Sequence, residues 1–547
     1  MTRLRRALVL ACSVGVTVVC FRVTVAYDLE THRQLSREAV LRSGIHQRLP
    51  SYGLTPGQPI RARLLSVFGG PLPPDEWVAQ GARDEDSPWN RTLHHFYDPY
   101  RDRGLTDTVY GVPVRGERAP DWALEDSSDL LLQHHSFKDA RQAFYGGLTL
   151  ADRVTREREL GHTFYALGHV IHLIQDVSVP EHARNDAHLT GSPDKSFLEE
   201  YLEQLVREFS LTGLKLPTAG MPMPKLPREL FVNPAGTGIA QFANANFVSS
   251  DTNFAEARTG ATGGEYPSPV LDLARRDTAP LGTCKDTTQP VPPPGSLTFF
   301  ANAMWDQVSP DPANPTLLVN PRMTTYSVFD EYLKRRRKSL IFSLNCYTVD
   351  AAAAILLPRA VSYSASLLDY FFRGRPTAIF GEGTFRVVNR TSDARRAEVM
   401  DGRFELYRDD TGGQRQLLAS WTLRVDPNRA SGPLAVPLLP DGDLSRCILV
   451  FRGTLGAETD GVAGQQLHRC PTPSTLDSPY VEVGLPAPDS GAHSPGCSNG
   501  FWLYLVRLCC AWGESEPGYL WYCAQSPQGA VLACENSTPW WYVCSLA

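Results

Sequence analysis

Residues 162–200 read HTFYALGHVIHLIQDVSVPEHARNDAHLTGSPDKSFLEE, and the reading of the whole chain turns on them. His172 and Asp176 are four residues apart, so on a helix they project from one face. Pro180 is expected to end that helix, which brings His182 in from the following loop toward the same point in space. Three nitrogen and oxygen ligands within eleven positions form a metal-site layout. His162 and His169, on the same helix, read as packing or supporting residues. A further helix over 194–209 carries Glu199, Glu200 and Glu203, and a carboxylate there can reach back toward His182.

Upstream, Arg3, Arg5 and Arg6 precede an apolar run over 7–21, and Thr24-Val25-Ala26 places small residues at the cleavage positions. The expectation is a signal peptide over 1–26, with a secreted or periplasmic mature chain starting at Tyr27. A membrane anchor is disfavoured because the 15 apolar residues fall short of the roughly 20 that span a bilayer. A lipid-modified Cys12 would leave too little apolar sequence before it. Cleavage removes four arginines and no acids, taking the net charge from −6 to −10. With no basic run longer than Arg335–Lys338, a broad nucleic-acid-binding surface is not expected.

The new N-terminus carries chemistry of its own. The α-amine of Tyr27 lies five residues before His32, and an amine with its carbonyl can chelate zinc together with a nearby histidine. Further on, Asp84 and His95 stand eleven residues apart in a polar, turn-rich region. Singly, each reads as a solvated loop or helix residue; with His172 and Asp176 they complete a plausible zinc ligand set.

The rest of the chain supplies the frame. Helical periodicity is expected over about 122–145, 148–174 and 326–372, with a Pro/Gly-rich loop region over 212–325 shaping a cleft. The apolar stretch 351–357 reads as a buried central helix. Past Gly374-Arg-Pro376 the texture turns to short alternating strands separated by turn clusters, which indicates a β-sandwich. Of twelve cysteines, six fall in the last 51 residues, a disulfide pattern fitting export; Cys284 and Cys346 could also pair. The five tryptophans of the tail fit either a small core or a membrane- or glycan-facing surface. The expected fold class is mainly α over 27–373, then a β-sandwich over 376–468 and a Cys/Trp-rich segment over 469–547.

Taken in order, His32, Asp84, His95 within His-Phe-Tyr-Asp-Pro, His172-x-x-x-Asp176, His182 and a later carboxylate resemble the zinc-dependent phospholipases C of bacteria. The zinc-dependent single-strand nucleases of fungi share this plan. The resemblance covers about residues 27–373 and implies a mostly helical fold with three zinc ions at the base of a cleft. It implies one ion on Asp84, His95, His172 and Asp176, and a second on Tyr27, His32 and Asp176. His182 would begin the third site, with Glu199 as its carboxylate. Lys195 stands where the family has a histidine four residues before that carboxylate, so His188 is the loop candidate to replace it.

The activity implied by the resemblance is that of a phosphodiester hydrolase holding two or three Zn²⁺, with Asp84 orienting or deprotonating the attacking water. The implied substrate is a phospholipid headgroup or another phosphodiester, met through transient contact with a membrane surface and with no stable nucleic-acid partner. A nuclease or 3′-nucleotidase on the same scaffold is one alternative. A zinc-stabilised, non-catalytic binding protein is the other.

Overall fold

The structure is a computed structural model of the chain. It describes residues 29–62, 70–109, 112–125, 133–187, 196, 198–199, 201–203, 221–254, 266, 269, 271–280, 296–302, 322–326, 335–336, 342–381, 383–391, 397–467, 469–477, 481–482, 502–510, 518–524 and 541–546. The principal helices are α1 (Leu29–Arg42), α2 (Pro74–Asp84), α3 (Ala119–Leu124), α4 (Phe137–Thr149), α5 (Arg153–Asp176), α6 (Pro180–Ala183), α7 (Ile239–Asn246) and α8 (Cys346–Phe371).

The centre is α5. Asp152 caps it by accepting from the Thr155 amide, and from Leu160 to Asp176 every residue is buried. Helix α2 lies against it with no room to spare: a Cβ at Gly81 would stand 2.0 Å from the Tyr165 carbonyl oxygen, and one at Gly168 2.2 Å from that of Val78. Glycine is required at both positions because backbone meets backbone there. Helix α1 buries Thr31, His32, Leu35, Ser36, Ala39 and Val40, pairs spaced by four, so His32 belongs to its inward stripe. Helix α8 is the one described helix long and apolar enough to cross a bilayer, yet most of it is buried within the fold.

Several local expectations need correction. The stretch over 122–145 is two helices, because Ser136 and Asp139 form a capping box that starts α4 afresh. Pro180 does not end α5, which stops at Asp176; it sits in the first turn of α6, and α6 carries His182. Helix α8 begins only at Cys346, where the Asn345 side chain accepts from the Tyr347 and Thr348 amides. Part of the expected loop region is instead an antiparallel sheet of β3 (Leu271–Pro280), β4 (Ser296–Asn302), β5 (Thr324–Tyr326) and β6 (Phe342–Ser343). Its partners lie far apart in sequence, so local pattern carries little signal for it. Cys284 lies outside the described residues.

After a small hairpin, β1 (Thr106–Val109) with β2 (Val112–Arg115), and the sheet above, the sandwich follows. One layer is β7 (Pro376–Gly381), β8 (Thr384–Asn389) and later β13 (Val481–Glu482); the other is β9 (Met400–Asp409), β10 (Arg415–Val425), β11 (Arg446–Leu455) and β12 (Glu458–Leu467). Phe380 and Phe385 from the first layer pack with Phe404, Leu449 and Phe451 from the second, as alternating inward residues do. Cys447 of β11 and Cys470 beyond β12 form a disulfide within this core. In the tail, β14 (Trp502–Cys510) pairs antiparallel with both β15 (Gly518–Ala524) and β16 (Trp541–Leu546).

The change of texture at 374 is not a gap between cores. Tyr407, Ile448, Val450 and Val462 join the same apolar cluster as Trp122, Phe144 and Phe371 of the helices. Across this seam, Arg141 of α4 reaches the Glu458 carboxylate at 2.7 and 3.0 Å, and Arg373 reaches it at 2.7 Å. Burial alone would raise the pKa of Glu458, but the two guanidiniums outweigh it and hold the carboxyl below its usual range.

Candidate metal centre

Seven side chains converge from five parts of the chain, beginning with His32 on the inward stripe of α1 and His172 and Asp176 one turn apart at the end of α5. Asp86 and His95 come from the connection after α2. One Asp176 oxygen lies 3.2 Å from His32 Nε2; the other lies 2.7 Å from His95 Nδ1 and 3.0 Å from His172 Nε2. Asp86 Oδ1 stands 3.5 Å from His95 Nδ1 and 3.6 Å from His172 Nε2. Two overlapping groups, His32 with His172 and Asp176, and Asp86 with His95 and His172, are each compact enough to hold an ion. Beside them, His182 Nε2 meets Glu199 Oε1 at 3.2 Å.

The outward nitrogens settle which edge of each ring faces in. His172 Nδ1 donates to the Ala82 carbonyl at 2.6 Å, a contact available because α2 and α5 cross so closely. His32 Nδ1 donates to Gln175 Oε1 at 2.7 Å, and Gln175 is itself held by its amide donating to Ser36. His182 Nδ1 donates to the His95 carbonyl at 3.1 Å. Acceptors that cannot donate place the proton on the outer nitrogen, leaving the inner lone pair for a ligand.

The residues fit a cation. Both oxygens of Asp86 and of Asp176 are buried with no hydrogen-bond donor aligned on them, although imidazole nitrogens crowd around. Burial pushes Asp86 well above the usual carboxylate range, and the neighbouring charges of Asp176, Glu85 and Glu199 add to this against the pull of His95. For Asp176 burial acts in the same direction, but His172, His95 and His32 together bring it well below. Burial, then the charge of His172, lowers His32 to about 4, so it is neutral at pH 7. His95 and His172 go the other way: burial opposes their charge, yet Asp176 outweighs it and raises both. Buried like charges of this kind call for a positive ion, and a mixed imidazole and carboxylate set suits a first-row divalent metal.

Comparison with protein-family models, curated proteins and solved structures finds no match to this chain. The functional reading therefore rests on the site.

Of the residues singled out from sequence, His32, His95, His172, Asp176, His182 and Glu199 are brought to this region. Tyr27, His188 and Lys195 lie outside the described residues. Asp84 is displaced: its carboxylate accepts from Gln80 at 2.8 and 2.9 Å and from the Tyr165 hydroxyl at 3.2 Å, and Asp86 holds the position beside His95 and His172. The reason is local. Asp84 is the last residue of α2, one turn after Gln80 on the same face, whereas Asp86 lies beyond the helix end where the chain turns inward. Neither Asp86 nor Glu85 beside it stands out from the sequence as a site residue. The signal available was the acidic pair itself, placed after a helix terminus and ending nine residues before His95.

Proposed function

We propose that this chain is a secreted zinc-dependent phosphodiester hydrolase of the phospholipase C type. The observation that carries the reading is Asp176, one oxygen of which lies 3.2 Å from His32 Nε2 while the other lies 2.7 Å from His95 Nδ1 and 3.0 Å from His172 Nε2. A carboxylate shared in this way could serve two adjacent ions. Asp86, His95, His172 and Asp176 would hold one Zn²⁺, His32 and Asp176 with the α-amine of Tyr27 a second, and His182 with Glu199 would begin a third. When bound, such ions draw charge from a phosphodiester's oxygens and lower the pKa of a coordinated water toward about 7.

The chain's own residues do the rest. Asp86 takes the role the sequence reading gave Asp84, that of orienting the attacking water and accepting its proton. Its oxygens lack hydrogen-bond donors, so they are available for that work. The imidazoles are aimed before any ligand arrives, which removes a reorganisation cost from the reaction. Assay of the purified mature protein against phosphatidylcholine and single-stranded DNA, with and without chelator, tests the reading. Chelator-sensitive lipid cleavage supports it. DNA cleavage alone would move the assignment to a nuclease, and neither activity in a zinc-loaded protein would leave a zinc-stabilised binding protein.

A further inference from the structure

His95 differs from the other inward histidines in what stands behind it. His172 and His182 are backed by backbone carbonyls and His32 by a side-chain amide, all neutral acceptors. The outer nitrogen of His95, Nε2, instead faces a carboxylate oxygen, Glu85 Oε1, at 3.6 Å. Glu85 is completely buried and held from three sides. Arg91 donates to its Oε2 at 2.5 Å, His169 Nδ1 pairs with the same oxygen, and Trp122 Nε1 donates to Oε1 at 2.8 Å. Arg91 is fixed in turn by donating to the Glu85 carbonyl at 3.1 Å and by lying over the Trp122 ring.

A buried Arg–Glu pair is weak as a source of stability, because desolvating both charges offsets most of their attraction. What this pair does provide is a rigid anion at one place. A carboxylate has about four acceptor sites, and three of those on Glu85 are committed, leaving one side of Oε1 toward His95. The other tautomer, with its proton on Nδ1, would point the Nε2 lone pair at that anion.

We propose that Glu85 is the positioning residue of His95, binding its Nε2 proton so that the ring offers Nδ1 to the metal with raised basicity. Arg91, Trp122 and His169 are the clamp that holds Glu85 for this purpose. The inference rests on the metal reading above and assigns a ligand atom and a partner that the reading does not need.

The test uses the full-length mature protein, labelled with ¹⁵N-histidine and loaded with ¹¹³Cd²⁺ as the probe. The expected result is scalar coupling of cadmium to His95 Nδ1, with a slowly exchanging, strongly hydrogen-bonded proton on Nε2. Glu85→Gln, which keeps the shape and removes the charge, is expected to shift that proton signal and to weaken Cd²⁺ binding by about 10–100-fold. Coupling through His95 Nε2 in the unaltered protein overturns the proposal, and this measurement needs no variant to fold. So does a Glu85→Gln protein that is merely less stable, with cadmium affinity and the His95 signals unchanged. Failure of the unaltered protein to take up cadmium at all would instead bring down the metal reading, and this proposal with it.

Discussion

His182 is aimed by the backbone of His95: its Nδ1 donates to the His95 carbonyl at 3.1 Å, which turns Nε2 toward Glu199. The ring of His182 also stacks on Phe96, the residue after His95. One short segment thus supplies a ligand to the first group and orients the ligand of the next.

From this linkage the sites should be separable in one direction only. His182→Ala is expected to remove about one zinc per chain and leave the Asp176 sites filled, whereas Asp176→Ala should empty both of the ions it would serve. Metal content by mass spectrometry of purified variants distinguishes the two patterns. Equal loss from both variants would contradict the arrangement.

Asp86 and Asp84 make a direct comparison. Asp86→Asn should lower kcat by about 10²- to 10⁴-fold, the usual worth of a positioned general base. Asp84→Asn, whose side chain serves Gln80 and Tyr165, should retain zinc content and most of the turnover. Steady-state kinetics on a soluble phosphodiester, with metal content measured in parallel, reads both.

Metal binding should depend on pH with a defined sign. Without metal, Asp176 raises the pKa of His95 and His172, and burial raises that of Asp86. His95 and His172 therefore still carry protons at pH values where an unperturbed histidine, with pKa about 6.5, is mostly neutral. Zinc must displace those protons, so its affinity should keep rising as pH increases past 6.5. Calorimetry in buffers of different ionisation enthalpy should register proton release at pH 7. Affinity flat above pH 6.5 would show the groups to be already deprotonated.

The seam between helices and sandwich gives a stability prediction. Glu458→Ala would leave Arg141 as an uncompensated buried charge and Arg373 with Glu398 alone, at a cost of about 3–5 kcal/mol. Because the apolar cluster crosses the seam, the loss should appear in one cooperative transition that takes helix and sheet signals together. Two separate melts, with the helical signal unmoved, would show the sandwich to be an independent module.

How far the site could be read from sequence depended on how local its parts are. His172 and Asp176 are fixed by helix geometry, so spacing alone reaches them, whereas His32 stands out only through its nearness to the Tyr27 amine and the family resemblance. Asp86 was not reachable that way. Choosing it over Asp84 requires knowing that α2 ends at Asp84, and helix ends resist prediction by more than the two residues at stake. Strands β8 to β11 are legible from alternation and turn residues. The β3–β6 sheet is not, since its pairings join residues as distant as Leu271 and Asn302, or Thr325 and Ser343. Nor could pattern show that Val450 and Val462 face the helices; both read simply as strand residues.

The central claim is that this buried cluster holds the metal ions that make the chain a phosphodiesterase. Its most direct test is the zinc content of the purified mature protein, measured together with turnover of a soluble phosphodiester before chelation, after chelation and after zinc is restored. The account predicts two or three zinc ions per chain, activity lost on their removal and recovered on their return. Hydrolysis that proceeds undiminished in protein stripped of metal would contradict it.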